Sequence, residues 1–311
     1  MANTLIWIPK RLVEIGLLNV AAQSEDAFVA YCESDYHARI AATADNILHS
    51  GAHVVMLTGP SASGKTTTAH KLAQELRRRS HEAAVVSLDN FFKHIEDYPR
   101  LADGTPDYES VDALDVARVN HCLLELVQRG RTEIPDFDFH RERPTSGIQN
   151  VEVGDGIVLV EGIHALNPRL TEILPQGSAY KVYAGLREEY SYGGQRVLPT
   201  RDVRLARRMV RDIKFRGHSI EKTFAMWPAV CEGEDRNIKV FKNEADTLLD
   251  TSFSYEVNCL APFVQEMRGS LPQGSAYEQE LENLCRRFAL CAAIPEQKIP
   301  EDSMLREFVG K

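Results

Sequence analysis

The sequence predicts a doubly wound α/β fold with a mostly parallel sheet. Short apolar runs, each long enough for one buried strand, alternate along the chain with segments whose apolar residues follow helical spacing. A loop rich in glycine and serine joins the first run to a helical pattern, which gives the order strand, loop and helix. The predicted strands cover residues 53–58, 83–88, 156–160, 179–184 and 245–251.

The loop after the first strand fits the pattern G-x-x-x-x-G-K-[ST] over residues 59–66. Its glycines let the backbone curl so that N–H groups face a phosphate chain, and the next helix adds the positive end of its dipole. Lys65 would reach the β and γ phosphates of a nucleotide, and Thr66 would offer its hydroxyl to Mg²⁺. The flanking strand and helix favour this interpretation over an ordinary turn. The candidate phosphate-binding residues are Gly59, Ser61, Ala62, Ser63, Gly64, Lys65, Thr66 and Thr67.

Length and composition are those of an ordinary globular protein. At 311 residues the chain can bury a full core, as one large α/β domain with extensions or as two small domains. No apolar run is long enough to span a bilayer. The six cysteines are scattered without C-x-x-C pairs, so we expect reduced packing residues, no zinc site and a cytoplasmic protein.

The net charge of −9 limits the partners that the chain can bind. Broad nucleic-acid binding needs a basic face, so we expect no nucleic-acid partner, and we expect no membrane partner either. A small anionic substrate must therefore be met by a local cluster of cations.

The chain divides into three predicted segments. Residues 1–50 are predicted to be an N-terminal helical extension, of which residues 1–22 are ambiguous. Residues 51–270 form the predicted nucleotide-binding domain, and residues 271–311 form a C-terminal helical tail.

Capping residues place the boundaries of several helices. Ser24 can cap a helix that ends at Gly51, because serine favours the first position and glycine the position after the last turn. A second helix is predicted to begin at Ser110 or Asp112 and to end at Gly130. Further helices are predicted over residues 255–267 and 276–292.

Two carboxylates directly follow predicted strands. Asp89 comes after the second strand, and Glu161 comes after the third. Ligands of open parallel sheets bind beyond the carboxyl ends of the strands, so both acids lie where chemistry would need them. Asp89 could orient an alcohol and accept its proton, and Glu161 could assist Mg²⁺ or its water. For Asp89 the alternative is a cap of a helix or turn, and for Glu161 it is a helix N-cap interaction.

Residues 134–143 mix aromatic and charged side chains and avoid helical spacing. Such a mixture can line a substrate pocket. The alternative is a polar turn in which Phe137 and Phe139 are buried.

An arginine-rich stretch follows the fourth strand. Its arginines recur at the spacing i, i+3, i+4 and i+7, so one helix face carries them all. Arginine suits phosphoryl transfer because its fork stays charged and binds two oxygens at once. The alternative is a solvated helix, or arginines paired to acids elsewhere in the chain. The four residues are Arg204, Arg207, Arg208 and Arg211.

Six segments, in order, resemble the uridine kinase/phosphoribulokinase group of P-loop kinases, and most closely the bacterial uridine-kinase-like nucleoside kinases. They are GPSASGKTT, SLDNFF, PDFDFHRER, VLVEGIHALN, TRDVRLARRMVRD and SMLREFVG, and together they extend over most of residues 25–311. The resemblance implies a P-loop kinase with an arginine-rich helical lid and helical extensions.

The resemblance also implies roles for individual residues. Lys65 and Thr66 would hold the ATP phosphates and Mg²⁺, with Glu161 assisting the metal. Asp89 would be the general base. Arg204, Arg207, Arg208 and Arg211 would belong to a mobile lid that closes on the phosphates. The acceptor pocket would be formed by Asp89, Phe92, Tyr108, Phe137, His140 and Arg143.

The implied activity is transfer of the γ-phosphate of ATP to a hydroxyl of a small-molecule acceptor, a uridine- or cytidine-like nucleoside. This chain has Phe137 where the family usually has tyrosine, and His140 is displaced, so other acceptors stay open: a sugar, a sugar phosphate or a pantothenate-like acid. A nucleotide-binding regulatory protein without kinase activity is a further alternative. The preference for ATP over GTP and self-association into a homo-oligomer are also left open.

Overall fold

The computed structural model describes residues 9–138, 141 and 143–310, so Phe139 and His140 lie outside the described residues. The strands are β1 (Arg11–Glu14), β2 (Val54–Thr58), β3 (Ala83–Ser87), β4 (Arg131–Asp138), β5 (Arg143–Glu152), β6 (Ile157–Glu161), β7 (Ala179–Gly185), β8 (Glu188–Tyr192), β9 (Gln195–Leu198) and β10 (Thr247–Asp250). The helices are α1 (Ile15–Ala21), α2 (Glu25–Ser50), α3 (Lys65–Arg78), α4 (Val116–Arg129), α5 (Pro168–Thr171), α6 (Thr200–Phe215), α7 (Ile220–Asn237), α8 (Glu256–Glu266), α9 (Glu278–Phe288) and α10 (Arg306–Val309).

The central sheet has five strands in the order β10-β7-β2-β6-β3, and every neighbouring pair is parallel. These are the five strands that the apolar runs predict, so the predicted fold class is confirmed. A parallel strand buried on both faces must be apolar at nearly every position, which is why each run is visible in the sequence.

Both faces of the sheet are covered, as a doubly wound fold requires. Side chains alternate between the faces, so Val55 and Leu57 of β2 belong to one apolar cluster with residues of α2 and α3. Val54 and Met56 point the other way and join a cluster with residues of α4. The sheet therefore lies between two apolar layers.

Two of the predicted helix boundaries can be compared with their capping geometry. Helix α2 ends before Gly51 as predicted, and Gly51 has a left-handed φ of 69°, although the hydroxyl of Ser24 forms no capping hydrogen bond. Helix α4 ends before Gly130 as predicted, but the prediction that it starts at Ser110 or Asp112 is wrong. Asp115 caps α4, because its carboxylate accepts a hydrogen bond from an amide of the first turn, and the earlier residues form a separate 3₁₀ turn.

Two smaller sheets were not predicted. A three-stranded sheet has the order β1-β8-β9, in which β1 runs parallel to β8 and β8 pairs with β9 as a hairpin. The side chain of Arg11 on β1 donates to Glu188 and to Asp250, each at 2.9 Å. The charged stretch at residues 134–143 belongs to a hairpin of β4 and β5, whose tip contains residues outside the described part.

The N-terminal segment and the C-terminal tail share a core with the nucleotide-binding segment. Helix α2 packs on α3, and the Tyr36 hydroxyl lies 2.8 Å from the Thr68 hydroxyl. Met304 and Phe308 of the tail are fully buried in the same apolar cluster as Leu72 of α3. The predicted boundaries after residues 50 and 270 stay predictions.

Two expectations from composition can also be compared with the structure. All six cysteines are free thiols and five of them are buried, so the prediction of packing residues is confirmed for most. Within the described part of the chain, no helix is both long and apolar enough for a membrane crossing.

Candidate active site

The strand register brings the predicted catalytic elements to one edge of the sheet. Glu161, the last residue of β6, lies opposite Leu57 of β2 and Ser87 of β3. The phosphate loop that follows β2 and the turn that follows β3 therefore leave the sheet beside Glu161. This edge is the carboxyl edge, where open parallel sheets bind ligands.

The phosphate loop makes a sharp turn that only small residues allow. Gly64 caps α3 with a φ of 82°, and a side chain there would collide with Met304. A side chain at Gly59 would collide with the carbonyl of Ala184 on β7. The first amides of α3 have no acceptor inside the helix, so they can bind an anion.

Lys65 opens α3 and is only partly buried. Its ammonium donates to the carbonyl of Pro60 at 3.3 Å, so it lies over the mouth of the loop. The loop residues that the sequence predicts as a phosphate site are thus placed around one concave turn that has a cation at its rim.

Glu161 is almost fully buried and accepts two hydrogen bonds on one oxygen. Ser87 donates to its Oε1 at 2.7 Å and Thr66 donates to the same atom at 3.2 Å. Burial, together with the negative charge of Asp89, raises the pKa of Glu161 to about 7, against the opposing effect of Lys65. Because burial and the neighbouring acid both disfavour the negative charge of Glu161, a cation beside this carboxylate would be favourable.

Asp89 lies at the start of the turn after β3. The cap of this turn belongs to Ser87, whose hydroxyl accepts from the Asp89 amide at 3.4 Å, so the Asp89 carboxylate is not used as the cap. Burial raises the pKa of Asp89, while Lys65, Arg216 and Arg211 act to lower it.

The arrangement fits a magnesium ion that is shared with a phosphate ligand. Thr66 and Glu161 supply a hydroxyl and a carboxylate oxygen, the ligand types that Mg²⁺ takes together with phosphates and waters. In the part of the chain that the structure describes, no group of three or more His, Cys, Asp or Glu could hold a metal ion. A magnesium ion here would therefore need oxygen atoms from the bound nucleotide.

The four arginines that share one face of α6, which we call the arginine stripe, divide into two pairs. Arg204 is buried against Glu234 of α7, and Arg207 is buried against Glu256 of α8 at 2.6 Å. For these two residues the structure shows pairing to acids elsewhere in the chain, which the sequence left as an alternative.

Arg207 also supports the phosphate loop from behind. It donates to the carbonyl of Ala62 at 3.3 Å and to that of Thr251 at 3.1 Å. Ala62 has a left-handed φ of 57°, which costs an L-residue about 1 kcal/mol. Arg207 thus holds an unfavourable turn of the loop in place.

Arg208 and Arg211 face the site. Arg208 donates to the hydroxyl of Ser61 in the phosphate loop at 3.0 Å, and burial lowers the pKa of Arg208. The charge of Arg211 acts on Asp89, as does that of Arg216, a residue that the sequence analysis did not select. The stripe therefore contributes two cations to the phosphate loop side, and Arg216 adds a third.

Three of the predicted acceptor residues, Phe92, Tyr108 and Phe137, lie with Tyr98 in a group of rings that we call the aromatic cluster. Ring centroids of Phe92 and Phe137 are 6.0 Å apart, and Tyr98 joins them to Tyr108 at 5.8 Å and 5.5 Å. Tyr98 was missed because a single tyrosine in a turn-rich loop carries no signal. Three of its four rings lie on the connection after β3, the strand that also leads to Asp89, and Phe137 lies on β4.

Arg143 and His140 complete the predicted acceptor residues. Arg143 is exposed at the start of β5, opposite Asp138. His140 lies outside the described residues. Their roles stay predictions.

Two further acids were missed. Glu109 neighbours Tyr108, and its burial raises its pKa to about 7 against the effects of Arg208 and Lys65. Glu307 of the tail accepts from the hydroxyl of Thr67 at 2.7 Å and from its amide at 3.4 Å. The only sequence signal for Glu307 is that it lies in the segment SMLREFVG. The resemblance of this segment to the family implies no chemical role for the residue.

Comparison with known proteins agrees with this geometry. Residues 54–183 match the model of the Phosphoribulokinase / Uridine kinase family. The uridine kinase of Saccharomyces cerevisiae is 30% identical over 180 residues, which are 56% of this chain and 32% of that protein. The uridine kinase of Lactobacillus helveticus is 27% identical over 168 residues, 54% of this chain and 71% of that protein.

Among solved structures, phosphoribulokinase from Rhodobacter spheroides has a TM-score of 0.45 at 16% identity and covers 66% of this chain and 74% of its own. The matched segment of the family contains the phosphate loop, Asp89, Glu161 and the aromatic cluster. Residues 54–183, less than half of this chain, are therefore similar to the phosphoribulokinase/uridine kinase family.

Proposed function

We propose that this protein is a Mg²⁺-dependent kinase that transfers the γ-phosphate of ATP to a hydroxyl of a uridine- or cytidine-like nucleoside. One observation carries the proposal. The register of three parallel strands puts the phosphate loop, Glu161 and the turn bearing Asp89 at the same carboxyl edge. That combination provides a nucleotide site, a metal partner and a base.

The phosphate loop would bind the nucleotide. The amides at the start of α3 and the loop backbone would hold phosphate oxygens, and Lys65 would neutralise the β and γ phosphates. Thr66 and Glu161 would hold Mg²⁺, which neutralises charge on the transferring phosphate when it is bound. Arg207 would keep the loop in its binding shape.

Asp89 would orient the acceptor hydroxyl and take its proton as the oxygen attacks phosphorus. Burial raises the pKa of Asp89, which makes its carboxylate a stronger proton acceptor than an exposed aspartate. Arg208 and Arg211 would meet the charge that spreads over the phosphate oxygens in the transition state. Such positioning and charge neutralisation make up most of the catalysis of phosphoryl transfer.

The acceptor would bind between the aromatic cluster and Glu109. Aromatic rings favour a flat base, and a carboxylate can accept hydrogen bonds from the hydroxyls of a sugar. Phe137 lacks the hydroxyl that tyrosine would offer, and a pocket built to hydrogen-bond its substrate binds that substrate much more weakly when one partner is missing. This observation favours a second candidate, a kinase of another small alcohol such as a sugar, a sugar phosphate or a pantothenate-like acid.

The proposal is tested by ADP release from Mg-ATP against a panel of nucleosides, sugars and related alcohols. Lys65→Ala serves as the blank, because it removes the positive charge that would face the β and γ phosphates. We expect release that depends on uridine or cytidine. Release with another alcohol selects the second candidate, and bound ATP without any acceptor-dependent release selects a regulatory protein. The cytoplasmic location stays part of the proposal, as does a small-molecule acceptor.

A further inference from the structure

Asp212 is a completely buried acid near the end of α6 that is surrounded by arginines. Its Oδ1 lies 3.1 Å from Nη2 of Arg211 and 3.8 Å from Nε of Arg216. Its Oδ2 lies 3.3 Å from Nε of Arg208. One carboxylate therefore contacts three guanidinium groups, and α6 and its end supply all of them.

The carboxylate is also fixed from the side of α7. Thr223 donates its hydroxyl to Oδ2 at 3.3 Å, and Nδ1 of His218 lies 4.0 Å from the same oxygen. The amides of Arg216 and His218 both donate to the Asp212 carbonyl at 3.1 Å. Main chain and side chain of Asp212 together join the end of α6 to the turn that begins α7.

One of the three arginines contacts the candidate active site directly, and the other two share its carboxylate partner. Arg208 reaches Ser61 of the phosphate loop at 3.0 Å, and the charges of Arg211 and Arg216 both act on Asp89. Guanidinium groups that lie this close repel one another unless an acid separates their charges. A buried acid within reach of all three offsets that repulsion and limits the directions in which their side chains can point.

We propose that Asp212 is a positioning residue that holds Arg208, Arg211 and Arg216 towards the phosphate loop and Asp89. Asp212 does not touch the substrate, and its effect on turnover passes through the arginines. This inference rests on the proposed kinase function. The inference adds Arg216 to the cations of the site. It also gives a role to Asp212, the acid that directly follows Arg211 in the sequence.

The test is a double-mutant cycle on turnover. Asp212→Asn keeps the shape and removes the charge, and we expect kcat to fall about tenfold while the KM for ATP changes about threefold or less. In the Arg208→Ala background the same change should cost about threefold or less, because part of its route is already removed. The substrates are Mg-ATP and the acceptor that gives most release in the panel.

Asp235→Asn is the matched control. Asp235 accepts two hydrogen bonds of 2.7 Å from Arg201, which lies on the same helix but outside the site. Its removal should leave kcat within about twofold, since an exposed pair contributes little. Thr223→Val is the milder second variant, because it removes only the hydroxyl that orients the carboxylate; we expect a fall in kcat of about threefold.

The outcomes separate this inference from the proposed function. A wild-type protein that shows no acceptor-dependent ADP release overturns both. An active wild type with an Asp212→Asn variant that behaves like Asp235→Asn overturns the inference alone. Additive losses in the cycle also overturn it, because they mean that Asp212 acts on the fold and not through Arg208. Should Asp212→Asn fail to fold, unchanged kcat in a folded Thr223→Val variant contradicts the inference.

Discussion

The phosphate loop and the aromatic cluster both follow carboxyl ends of central strands, but different parts of the chain hold them. The phosphate loop lies between β2 and α3, with β7 behind Gly59 and the buried tail residue Met304 behind Gly64. The aromatic cluster lies on the connection from β3 to α4 and on the β4–β5 hairpin, and Tyr108 is 38% exposed.

This difference separates phosphoryl transfer from acceptor choice. The transfer groups are held by regular elements packed on both sides, so a substitution there should affect every acceptor alike. The acceptor groups are held by a loop and a hairpin, which can change without disturbing the sheet. Substitutions there should change which alcohol is used and leave nucleotide binding intact.

The largest effect is expected from Asp89→Asn on the transfer side. It should lower kcat at least about a hundredfold with every acceptor, because the proton acceptor is lost, while ATP still binds. Turnover and ATP affinity are measured separately, the latter by calorimetry. A variant with near-normal turnover would remove Asp89 from the role of base.

Arg208→Ala should lower kcat about thirtyfold and weaken ATP binding much less, because its charge acts mainly on the transition state. Arg201→Ala is the matched control on the same helix, since Arg201 is exposed and paired with Asp235. Equal kinetics for the two variants would mean that Arg208 has only a structural role.

On the acceptor side, Phe137→Tyr should raise kcat/KM for uridine about fivefold and leave the KM for ATP unchanged. The added hydroxyl would restore a donor to the pocket. The same assay with a sugar acceptor is the internal control. An equal change for all acceptors would break the separation between the two regions.

Glu307→Gln should tighten nucleotide binding about threefold. The carboxylate occupies the Thr67 hydroxyl and places a negative charge at the helix end where phosphate would bind. Glu301→Gln, an exposed acid of the same tail, is the control and should change nothing. Weaker binding in Glu307→Gln would show that the tail carboxylate supports the loop.

The smallest effect concerns Glu109 and pH. Its pKa in the folded protein is raised by burial to about 7 from 4.5, so the folded protein binds a proton that the unfolded chain has released in this window. Stability therefore falls as pH rises from about 4.5 to 7, and the melting temperature falls with it. Glu109→Gln should remove this contribution. An identical pH dependence of melting in both proteins would contradict the raised pKa.

The predictability of the two regions differs for a physical reason. Buried parallel strands must be apolar, and the phosphate loop depends on residues adjacent in sequence, so the sheet and the loop could be predicted from the sequence. Strand β1 could not, because Arg11 is a charged residue whose partners Glu188 and Asp250 are distant in sequence.

The arginine stripe shows the same limit inside the site. Spacing places four arginines on one face, but it cannot tell which buried acids other helices bring against that face. Glu234 and Glu256 meet Arg204 and Arg207, and so leave Arg208 and Arg211 for the loop side. Glu109 and Glu307 reach the site only through tertiary packing, so no local pattern marks them.

Transfer of a phosphoryl group from ATP to an alcohol is best tested by identifying the products. The wild-type protein is incubated with Mg-ATP labelled at the γ-phosphate and with uridine, and the products are separated and identified by mass spectrometry. We expect label in a uridine monophosphate with the wild-type protein and no labelled uridine monophosphate with Lys65→Ala. Label found only in inorganic phosphate, with every acceptor of the panel unmodified, would contradict it.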